Sequence, residues 1–357
     1  MLSLSRSAHQ APEVPGKAGG PIYALGFSSW KRGPVRRFLA GSRVIFVHQA
    51  HQVEPGATLA VWGYRPIHGR LASGVRLLRL EDGFLRSVGL GADLIRPVSW
   101  VVDGRGMYYD ARCPSDLEVI LGEADFVSEL LERARLLRES IVASGLTKYN
   151  LGGSTWQRPA DARRVILVPG QVETDASLAY GAPGVRTNMA LLRAVRAANP
   201  DAYVLYKPHP DVLARLRAPG EGEDNALDVA NERVTGVSMG ALLPLVDEVH
   251  VLTSLAGFEA LLRDKPVVCY GQPFYSGWGL TQDLVPLARR SRRLTLDQLV
   301  AGALILYPRY VSLATGDLAT PEQALAELRA WRARTGGGVP WWRKAFRVVL
   351  RRVVGLR

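Results

Sequence analysis

Short apolar runs, each closed by glycine or a polar turn, recur through the first third of the chain. They are PIYALG (21–26), RVIFVHQ (43–49), ATLAVWG (57–63) and VRLLRLEDG (75–83). Runs of this kind are typical of strands buried on both faces of a parallel sheet, whereas half-exposed strands alternate apolar and polar residues. The segment SWVVDGRGMYYD (99–110) predicts a hairpin instead, with Asp103 and Gly104 in its turn.

Helical periodicity begins after this region. The segment DFVSELLERARLLRESIVASG (125–145) places apolar residues every three or four positions and ends near Gly145, as an amphipathic helix does. Further helices are predicted at SDLEVILG (115–122), NMALLRAVRAANP (188–200), LAGFEALLRDK (255–265), TLDQLVAGALIL (295–306) and PEQALAELRAWRAR (321–334). The remaining strands are predicted at VILVPGQ (165–171), AYVLYKPHP (202–210), the end of ALLPLVDEVHVLTS (241–254) and PVVCYG (266–271).

Strands and short helices therefore alternate in both halves of the chain, which is the pattern of doubly wound α/β sheets. We expect two Rossmann-like domains that face a central cleft, followed by C-terminal helices, with ligands at the carboxyl ends of the strands. The expected divisions are a disordered lead-in at 1–20, a first domain at 21–150, a linker at 151–163, a second domain with its closing helices at 164–335, and a basic amphipathic tail at 336–357.

The net charge of the chain limits the classes of partner that it can be expected to bind. A formal net charge of +12 and a pI near 10.0 call for an anionic partner, such as nucleic acid, anionic lipid, or an acidic or nucleotide-linked substrate. Two distant cysteines exclude a disulfide scaffold and a cysteine zinc site, and they favour a reducing compartment. Because the first 20 residues lack an apolar signal-peptide core and no run is long enough to span a bilayer, a cytoplasmic protein is predicted.

Several common site motifs are missing from the sequence. The glycines form neither a GxxxxGK[ST] loop nor a GxGxxG loop that opens a helix after the first strand, and there is no GxSxG elbow. The six histidines contain no HExxH motif, and neither a metal nor another cofactor is expected. Nucleic-acid binding is not expected either, because the chain has no recognised module for it.

Four polar stretches directly follow predicted strands, and the first contains Glu81, Asp82 and Gly83. A carboxylate at a strand end suits a general acid or base, and the glycine would let a ligand approach. The same residues also suit an acidic turn, or a helix start capped by Asp82. The sequence leaves these interpretations open.

The second stretch is PGQVETDAS (169–177), which places Gln171 and Asp175 behind a buried strand. Asp175 precedes Ala176 and Ser177, so its carboxylate could cap a helix. It could equally supply a nucleophile or a base.

The third stretch, KPHP (207–210), has His209 between two prolines that fix the backbone and remove two amide donors. Together with Lys207, this rigid cationic strand end would suit a phosphate or a sugar carboxylate. The alternative is a tight turn with a solvated histidine.

The fourth stretch is TSLAGFEALL (253–262). Thr253 and Ser254 would offer hydroxyls and free amides at a positive helix end, which can bind phosphate. The alternative is an ordinary serine cap. Glu259 is interpreted as a residue of the helix face that could reach a ribose.

Taken together, these stretches resemble the KpsC/LipB family of capsule-polysaccharide β-Kdo transferases, where Kdo is 3-deoxy-D-manno-oct-2-ulosonic acid. The similar segments are GFSSWKR (26–32), EDGFLRSVGLGADLIRPVSWVVDGRGMYYD (81–110), PGQVETDAS (169–177), NPDAYVLYKPHPDVLA (199–214), VHVLTSLAGFEALL (249–262), VVCYGQPFYSGWGLTQD (267–283) and RRLTLDQLVAGALILYPRY (292–310). The resemblance implies a GT-B-like fold, a CMP-Kdo donor, and a short β-Kdo linker on a phosphatidylglycerol lipid as the product.

The resemblance also implies how the donor is held. The acidic-Gly, His-Pro and Ser/Thr elements are similar to those of bacterial sialyltransferases, which also use CMP-activated sugars. By this likeness Lys207, His209 and Pro210 would hold the CMP side of the donor, and Thr253 and Ser254 would hold its phosphate.

Catalytic roles follow from the same resemblance. Related retaining Kdo transferases are thought to form a covalent glycosyl-enzyme adduct, which makes Asp175 of the Q-x-x-x-D element starting at Gln171 the expected nucleophile. Glu81 or Asp82 would then be the general acid/base on the acceptor hydroxyl, with Glu81 preferred.

The chain departs from the family in one respect, because the best-known members carry two such modules and this chain carries one. It is therefore expected to make a single kind of linkage, or to work with a second Kdo transferase and the capsule export machinery. The alternative function is a non-catalytic subunit of a capsule assembly complex that binds a sugar nucleotide or a glycan.

The segment PWWRKAFRVVLRRVVGLR (340–357) predicts an amphipathic helix with Trp and other apolar residues on one side and Arg and Lys between them. Such a helix is attracted to an anionic membrane surface. It would place the protein at the inner face of the inner membrane, next to a lipid-linked acceptor. A helix packed on the protein, or a disordered tail, is the alternative.

Overall fold

Two β-sheets, one of seven strands and one of six, organise residues 20–87, 96–148 and 154–335, which are the residues that the computed structural model describes. The strands are β1 (Ile22–Leu25), β2 (Val44–Val47), β3 (Thr58–Trp62), β4 (Arg76–Asp82), β5 (Ser99–Asp103), β6 (Val165–Pro169), β7 (Tyr203–Lys207), β8 (Glu232–Arg233), β9 (Glu248–Val251), β10 (Val267–Cys269), β11 (Gln282–Asp283), β12 (Pro308–Val311) and β13 (Leu318–Ala319). The α-helices are α1 (Ser29–Phe38), α2 (Asp116–Glu123), α3 (Ser128–Ser144), α4 (Ala176–Gly181), α5 (Asn188–Ala198), α6 (Pro210–Leu213), α7 (Met239–Leu242), α8 (Leu255–Leu261), α9 (Leu296–Val300) and α10 (Pro321–Thr335).

The first sheet has the strand order β13-β12-β5-β4-β3-β1-β2. Strands β1 to β4 are parallel, as predicted, but β5 runs antiparallel to β4. The predicted hairpin at 99–110 is wrong, because β5 is a single strand. Oδ1 of Asp103 accepts the backbone N–H groups of Arg105 and Gly106 at 2.9 and 2.8 Å, which closes a tight turn where a second strand was expected.

The last strands of the chain return to this first sheet. Strand β12 pairs antiparallel with β5, and β13 pairs with β12. The Tyr307 hydroxyl, just before β12, donates to Asp103 Oδ2 at 2.8 Å and fixes the return. The segment 164–335, expected to form the second domain, therefore gives its final strands to the first. The linker at 151–163 stays a prediction.

The second sheet has the order β11-β10-β9-β6-β7-β8, and its strands are all parallel. The first strand of this half, β6, is central, and the chain adds strands first on one side and then on the other. The order therefore reverses between β6 and β9, and in the first sheet it reverses between β1 and β3. Ligands of such sheets bind outside the carboxyl ends of the strands at these switch points. The expected α/β class with doubly wound sheets is confirmed.

Local sequence explains where the helices begin and end. Helix α5 begins at the cap Thr187, whose hydroxyl accepts the N–H of Ala190 at 3.1 Å, and α3 ends at Gly145 in the left-handed region with φ 61°. The predicted helix at 295–306 is regular only in α9. Residues Ala301–Leu306 then form one stretch of π-helix.

An aromatic cluster joins the two sheets behind their carboxyl ends. The rings of Phe84 and Phe274 stack with centroids 4.5 Å apart, and Phe258 lies 6.0 Å from Phe84. Phe84 follows β4, whereas Phe258 belongs to α8, so this buried contact fixes one sheet against the other.

Two predicted segments fall outside the described residues: the lead-in at 1–20, apart from Gly20, and the tail at 336–357. Among the residues that the structure describes, no helix is long and apolar enough to cross a membrane.

Candidate active site

Glu81 lies at the carboxyl end of β4 and is partly exposed. Its side chain and that of Tyr109 both lie next to Gly63. A Cβ atom at Gly63 would stand 2.8 Å from the Tyr109 hydroxyl and 3.2 Å from Glu81 Oε2. Gly63 also has a φ of 47°, which other residues rarely adopt. The glycine therefore leaves room for a carboxylate and a phenol on one side of the cleft.

The environment of Glu81 raises the pKa of its carboxyl group. Burial raises the pKa of Glu81 to about 7, and the neighbouring charge of Asp82 adds to the effect. The Asp82 N–H, which donates to Glu81 Oε1 at 3.0 Å, and the cations Lys148 and Lys31 partly oppose this rise in pKa. A carboxyl group with a pKa near the working pH can both take and give a proton.

Asp82 is engaged differently from its neighbour. Its Oδ2 receives the Nε–H of Arg86 at 2.6 Å, and the Arg86 side chain is only 4% exposed. Because the Arg86 guanidinium would otherwise be buried without a counter-charge, the Asp82 carboxylate is committed to it.

Gly83 has a structural reason to be glycine. A Cβ at this position would collide with the Ser99 side chain on β5. The neighbouring strand therefore fills this face of Gly83, and ligand approach at the residue stays a prediction.

The buried phenol of Tyr108 is subject to the charges of both predicted carboxylates. Burial raises the pKa of Tyr108, the charge of Lys148 opposes this, and the charges of Glu81 and Asp175 raise the pKa further. The charge of Glu81, from the first sheet, and that of Asp175, from the second, thus act on the same phenol. The adjacent Tyr109 packs its backbone oxygen against Gly181, 3.2 Å from where a Cβ would stand, at the end of α4.

Asp175 is exposed and caps α4. Its Oδ1 accepts the N–H of Ser177 at 2.8 Å, so the helix-cap interpretation is what the structure shows. This contact uses Oδ1 and leaves Oδ2 for other chemistry. A cap fixes the direction of the carboxylate without burying it, which is compatible with a nucleophile.

Gln171 and Thr253 bridge the switch point of the second sheet, between the ends of β6 and β9. Gln171 Nε2 donates to Thr253 Oγ1 at 3.0 Å, and the Thr253 N–H donates to Gln171 Oε1 at 2.9 Å. Thr253 Oγ1 also lies 3.2 Å from the Ser177 hydroxyl. The sequence suggested a free amide at Thr253, but this N–H is engaged by Gln171. The pair sets the shape of the strand-end loops.

Ser254 precedes α8, and Glu259 lies within it. Ser254 caps the helix by accepting the Ala256 N–H at 3.2 Å, and its backbone oxygen accepts the hydroxyl of Tyr275. Glu259 is buried, and its Oε1 accepts the backbone N–H of Lys148 at 2.7 Å. Burial raises the pKa of Glu259, and this hydrogen bond opposes the rise. The cap and the buried contact are observed, whereas phosphate and ribose contacts stay predictions.

The KPHP stretch lies at the carboxyl end of β7, and one donor of Lys207 and one acceptor of His209 are already engaged. Lys207 Nζ donates to the Val237 carbonyl at 2.7 Å, and burial lowers the pKa of Lys207. His209 Nδ1 accepts the Asp211 N–H at 3.1 Å, so the proton of the neutral ring is on Nε2. Burial lowers the pKa of His209, which keeps this neutral form at pH 7. Pro210 is the first residue of α6.

Lys148 is a candidate site residue that sequence reasoning missed. Its charge acts on the pKa of four groups of the cleft, which are Glu81, Tyr108, His209 and Glu259. It lies in a polar, glycine-bearing stretch that resembled a plain linker, so no pattern marked it. Tyr108 and Tyr109 were missed because they were taken for the second strand of a hairpin.

The arrangement brings together most of the predicted residues from both sheets. A carboxyl group with a raised pKa stands on the first sheet, an exposed carboxylate on the second, and Lys207 and the neutral His209 lie at the end of β7. Two carboxyl groups of unequal environment across a cleft suit a reaction that needs one nucleophile and one proton carrier.

Comparisons with known proteins agree with this description. The sequence model of the family described as capsule polysaccharide biosynthesis protein matches residues 58–150 and 154–310. The capsule polysaccharide modification protein LipA of Neisseria meningitidis serogroup A is 43% identical over 318 residues, covering 86% of this chain and 45% of LipA. The lipopolysaccharide-processing protein LpsZ of Rhizobium meliloti is 39% identical over 350 residues, covering 93% of this chain and 78% of LpsZ. The chain thus spans about half the length of LipA.

Two solved structures are similar over most of the chain. The Thermosulfurimonas dismutans KpsC β-Kdo 2,7 transferase superposes with a TM-score of 0.74 at 40% identity, covering 87% of this chain and 99% of that one. The KpsC β-Kdo 2,4 transferase of the same organism gives a TM-score of 0.75 at 32% identity, covering 87% and 98%. The family that the sequence motifs predicted is therefore confirmed: this chain belongs to the capsule polysaccharide biosynthesis proteins and has the GT-B-like, two-domain α/β fold of its solved KpsC relatives.

Proposed function

We propose that this chain is a CMP-Kdo-dependent, retaining β-Kdo transferase of capsule polysaccharide biosynthesis that acts on a lipid-linked acceptor. The observation that carries the proposal is that Tyr109 contacts both sides of the cleft. Its hydroxyl and Glu81 Oε2 both lie within 3.2 Å of the position of a Gly63 Cβ, and its backbone oxygen lies 3.2 Å from that of a Gly181 Cβ, in the helix that Asp175 caps. Nucleophile and acid/base would then stand across one cleft. The description of both solved relatives as β-Kdo transferases supports the choice of sugar.

The linkage is proposed to be 2,7. Identity is 40% to the 2,7 transferase and 32% to the 2,4 transferase, although the two superpose equally well. The acceptor would be a β-Kdo-terminated linker on phosphatidylglycerol. Analysis of the product by NMR would identify which hydroxyl of the acceptor has been substituted.

In the first step, Asp175 attacks the anomeric carbon, C2, of the donor. A bond forms between a carboxylate oxygen and C2 while the bond from C2 to the phosphate oxygen breaks, and CMP leaves with the electron pair. The cap contact between Asp175 Oδ1 and the Ser177 N–H holds the carboxylate in one direction for this attack. The product of the step is a Kdo ester of Asp175 with inverted configuration.

In the second step, the acceptor hydroxyl attacks C2 from the opposite face. Its proton passes to Glu81, whose pKa of about 7 suits a base at neutral pH, and the ester bond breaks to return Asp175 as a carboxylate. Glu81 then releases the proton to solvent. Two inversions give overall retention, and Asp82 supports the turn through Arg86 without moving a proton.

The donor would be held at the carboxyl ends of β7 and β9. Lys207, His209 and Pro210 would contact the CMP portion, and Thr253 with Ser254 the phosphate side. The neutral His209 would donate from Nε2, since Nδ1 is occupied by the Asp211 N–H. Glu259 would reach the ribose only with the oxygen that does not hold Lys148. Cations and backbone donors would neutralise the leaving phosphate without a metal ion.

The enzyme would work on the cytoplasmic face of the inner membrane, bound peripherally through its basic tail at 336–357. A second Kdo transferase and the capsule export machinery would be its partners. The alternative function, a non-catalytic binding subunit, would show CMP binding without turnover on any acceptor.

The decisive experiment is mass spectrometry of the protein and of its peptides after incubation with CMP-Kdo and no acceptor. We expect one Kdo residue on the peptide that contains Asp175, and release of that residue when a lipid-linked acceptor is added. A Glu81→Gln variant should accumulate the adduct, because the acceptor hydroxyl then lacks its base. Transfer by the wild type with no adduct detected in either protein would contradict the covalent mechanism.

A further inference from the structure

Helix α4, which Asp175 caps, is held at its other end by both domains. The Tyr180 carbonyl accepts the N–H of Ala111 at 3.2 Å, and the Gly181 carbonyl accepts the N–H of Gln272 at 2.7 Å. Ala111 lies between β5 and α2 in the first domain, whereas Gln272 follows β10 in the second. The last carbonyl groups of a helix have no partner within it. Each domain therefore supplies one of the N–H groups that fix this end of α4.

The Tyr180 ring lies against two side chains of the first domain. The Arg112 guanidinium carbon stands 3.9 Å from the centroid of this ring, and the Tyr64 ring meets it edge-on with centroids 5.1 Å apart. A guanidinium over an aromatic face is attracted by the charge distribution of the ring, and an edge-to-face pair of rings is favourable for the same reason. Tyr64 comes two residues after β3, so these contacts join α4 to the strand-end loops of the first sheet.

Asp110 holds Arg112 in this orientation. Arg112 donates from Nε and Nη2 to the two carboxylate oxygens of Asp110 at 2.9 Å each, and the Asp110 side chain is buried. The Tyr64 hydroxyl donates to the same carboxylate. Burial alone would raise the pKa of Asp110, but these hydrogen bonds hold it below its ordinary value, so the group is ionised at neutral pH. One buried carboxylate thus fixes both side chains that contact the Tyr180 ring.

Helix α4 depends on such contacts because it is short. Its six residues provide few hydrogen bonds of their own, and a helix of this length is not stable alone. Its end is closely packed, since a Cβ at Gly181 would stand 3.0 Å from Thr253 Cγ2 and 3.2 Å from the Tyr109 carbonyl oxygen. Tyr180 lies about 7.5 Å from Asp175 along the helix axis, at about 1.5 Å per residue. A tilt of the helix at Tyr180 therefore moves the Asp175 carboxylate.

We propose that the first domain positions the Asp175 carboxylate through a clamp on α4, made by Asp110, Arg112, Tyr64 and Tyr180. The proposal rests on the proposed function, in which Asp175 is the nucleophile. Tyr180 and Arg112 are positioning residues, since they act on the reaction through the helix. A misplacement of a reacting group by about 1 Å lowers a rate by about 10². Loss of the clamp should therefore slow formation of the Kdo adduct and leave the donor contacts, at the ends of β7 and β9, in place.

The test measures the rate constant of adduct formation from CMP-Kdo without acceptor, by rapid quenching and mass spectrometry of the peptide that contains Asp175. We expect Tyr180→Ala to lower this rate constant about 10- to 100-fold and to leave the CMP-Kdo concentration for half-maximal rate within about twofold. Tyr180→Phe keeps the ring and should keep the rate constant within about twofold. A rise in the half-maximal concentration with an unchanged maximal rate would mean that Tyr180 contacts the donor, and it would overturn the proposal.

Arg112→Ala is the second variant. Since the Arg112 side chain is 60% exposed, its removal should not create a cavity in the core. It should also lower the rate constant. The double variant with Tyr180→Ala should lose little more than Tyr180→Ala alone, because both changes act through one contact. Additive losses in the double variant would overturn the clamp.

Arg289→Gln is the matched control. Arg289 Nη2 donates to Glu118 Oε2 at 3.2 Å, and this contact also joins the two domains, between the segment after β11 and α2. Because neither residue belongs to the clamp, the control should keep the rate constant of adduct formation within about twofold. An equal loss in the control would assign the effect to domain contact in general and overturn the proposal.

Hydrogen exchange separates this inference from the proposed function, because it needs neither donor nor transfer. In the peptide that covers 172–182, Tyr180→Ala and Arg112→Ala should exchange faster than the wild type, whereas Tyr180→Phe and Arg289→Gln should not. Unchanged exchange in Tyr180→Ala would overturn the clamp, and faster exchange with normal adduct formation would overturn the positioning role. If the variants show this pattern but the wild type forms no adduct and transfers no Kdo, the transferase is refuted and the clamp on α4 stands.

Discussion

The backbone N–H of Lys148 donates to Glu259 Oε1 at 2.7 Å, which anchors the end of the first domain's helical segment to the buried face of α8. Through this contact Glu259 fixes where the Lys148 side chain begins. The charge of that side chain acts on Glu81 and on His209. Glu259 therefore reaches both halves of the cleft through Lys148, as a positioning residue.

Glu259→Gln and Glu259→Ala should differ sharply. The amide oxygen of Gln can still accept the Lys148 N–H, so we expect Gln to keep kcat within about twofold and Ala to lower it about tenfold, because a lost buried acceptor costs about 1–3 kcal/mol. Steady-state kinetics on CMP-Kdo measures this. A donor KM that rises equally in both variants would show instead that the carboxylate itself contacts the nucleotide.

Asp175→Asn separates the two roles of Asp175. Asparagine caps a helix about as well as aspartate, so the variant should melt close to the wild type, whereas Asp175→Ala should lose about 1 kcal/mol of stability. Both variants should lose transfer by at least about a thousandfold, because the nucleophile is gone. Thermal melts and product formation are read on the same samples. Activity in a well-folded Asn variant would remove Asp175 from the mechanism.

The rate of transfer should depend on the ionisation of Glu81. As the base for the acceptor hydroxyl, Glu81 must be deprotonated, so kcat/KM should rise with pH up to about 7 and then level off. Glu81→Gln should remove this rising limb and lower kcat by about 10² to 10⁴. Asp82→Asn is the matched control and should keep the limb. A limb that survives in Glu81→Gln would assign the proton transfer to another group.

The same pKa predicts a gain in stability when Glu81 is neutralised. The folded state holds the Glu81 proton up to about pH 7, whereas the unfolded chain releases it near 4.5, so stability falls as pH rises between these values. Glu81→Gln lacks this penalty and should be more stable than the wild type by up to about 2 kcal/mol at pH 8, allowing for partial exposure. The two should be equally stable at pH 4. Denaturant unfolding at the two pH values checks it.

Asp82→Asn should have the opposite effect on stability, because it leaves the buried Arg86 without its counter-charge. A loss on the order of 2 kcal/mol is expected at neutral pH. A variant as stable as the wild type in denaturant unfolding would mean that Arg86 finds another partner.

Deletion of the tail at 336–357 should abolish binding to anionic vesicles. Each basic residue near a surface of anionic lipid contributes about 1 kcal/mol, and this attraction is screened by salt. Sedimentation with phosphatidylglycerol vesicles at low and high salt measures the effect, with neutral phosphatidylcholine vesicles as the control. Transfer to a water-soluble acceptor should be unchanged. Undiminished vesicle binding after the deletion would place the membrane contact elsewhere.

Much of the second sheet could be predicted from local pattern. The run before Pro169 and the run before Lys207 are continuously apolar, and the helix after Asn188 has its stop at Pro200. Here the residues that end each strand or helix lie within or directly after that element. For the same reason Asp175, His209 and Ser254 were expected at strand ends, and the structure places them there.

The first sheet was harder because its last pairings are not local. A buried antiparallel strand has the same apolar letters as a parallel one, so Trp100 and Val101 gave no sign that their neighbours would be Pro308 and Arg309. The sequence could not distinguish the roles of the adjacent acids Glu81 and Asp82 either. The two acids differ because the chain bends after β4 and brings Arg86 back to Asp82, where the two side chains form an ion pair.

The return of β12 to β5 sets an order of events during synthesis. When the first half of the chain leaves the ribosome, β5 has only β4 beside it, and its outer edge stays open until some 200 further residues are made. An exposed apolar edge of this kind is a site for wrong pairing, so the nascent first half should need protection until β12 arrives. For the same reason a fragment cut before β12 should aggregate, whereas β6 to β11 could close their sheet without help from either end of the chain.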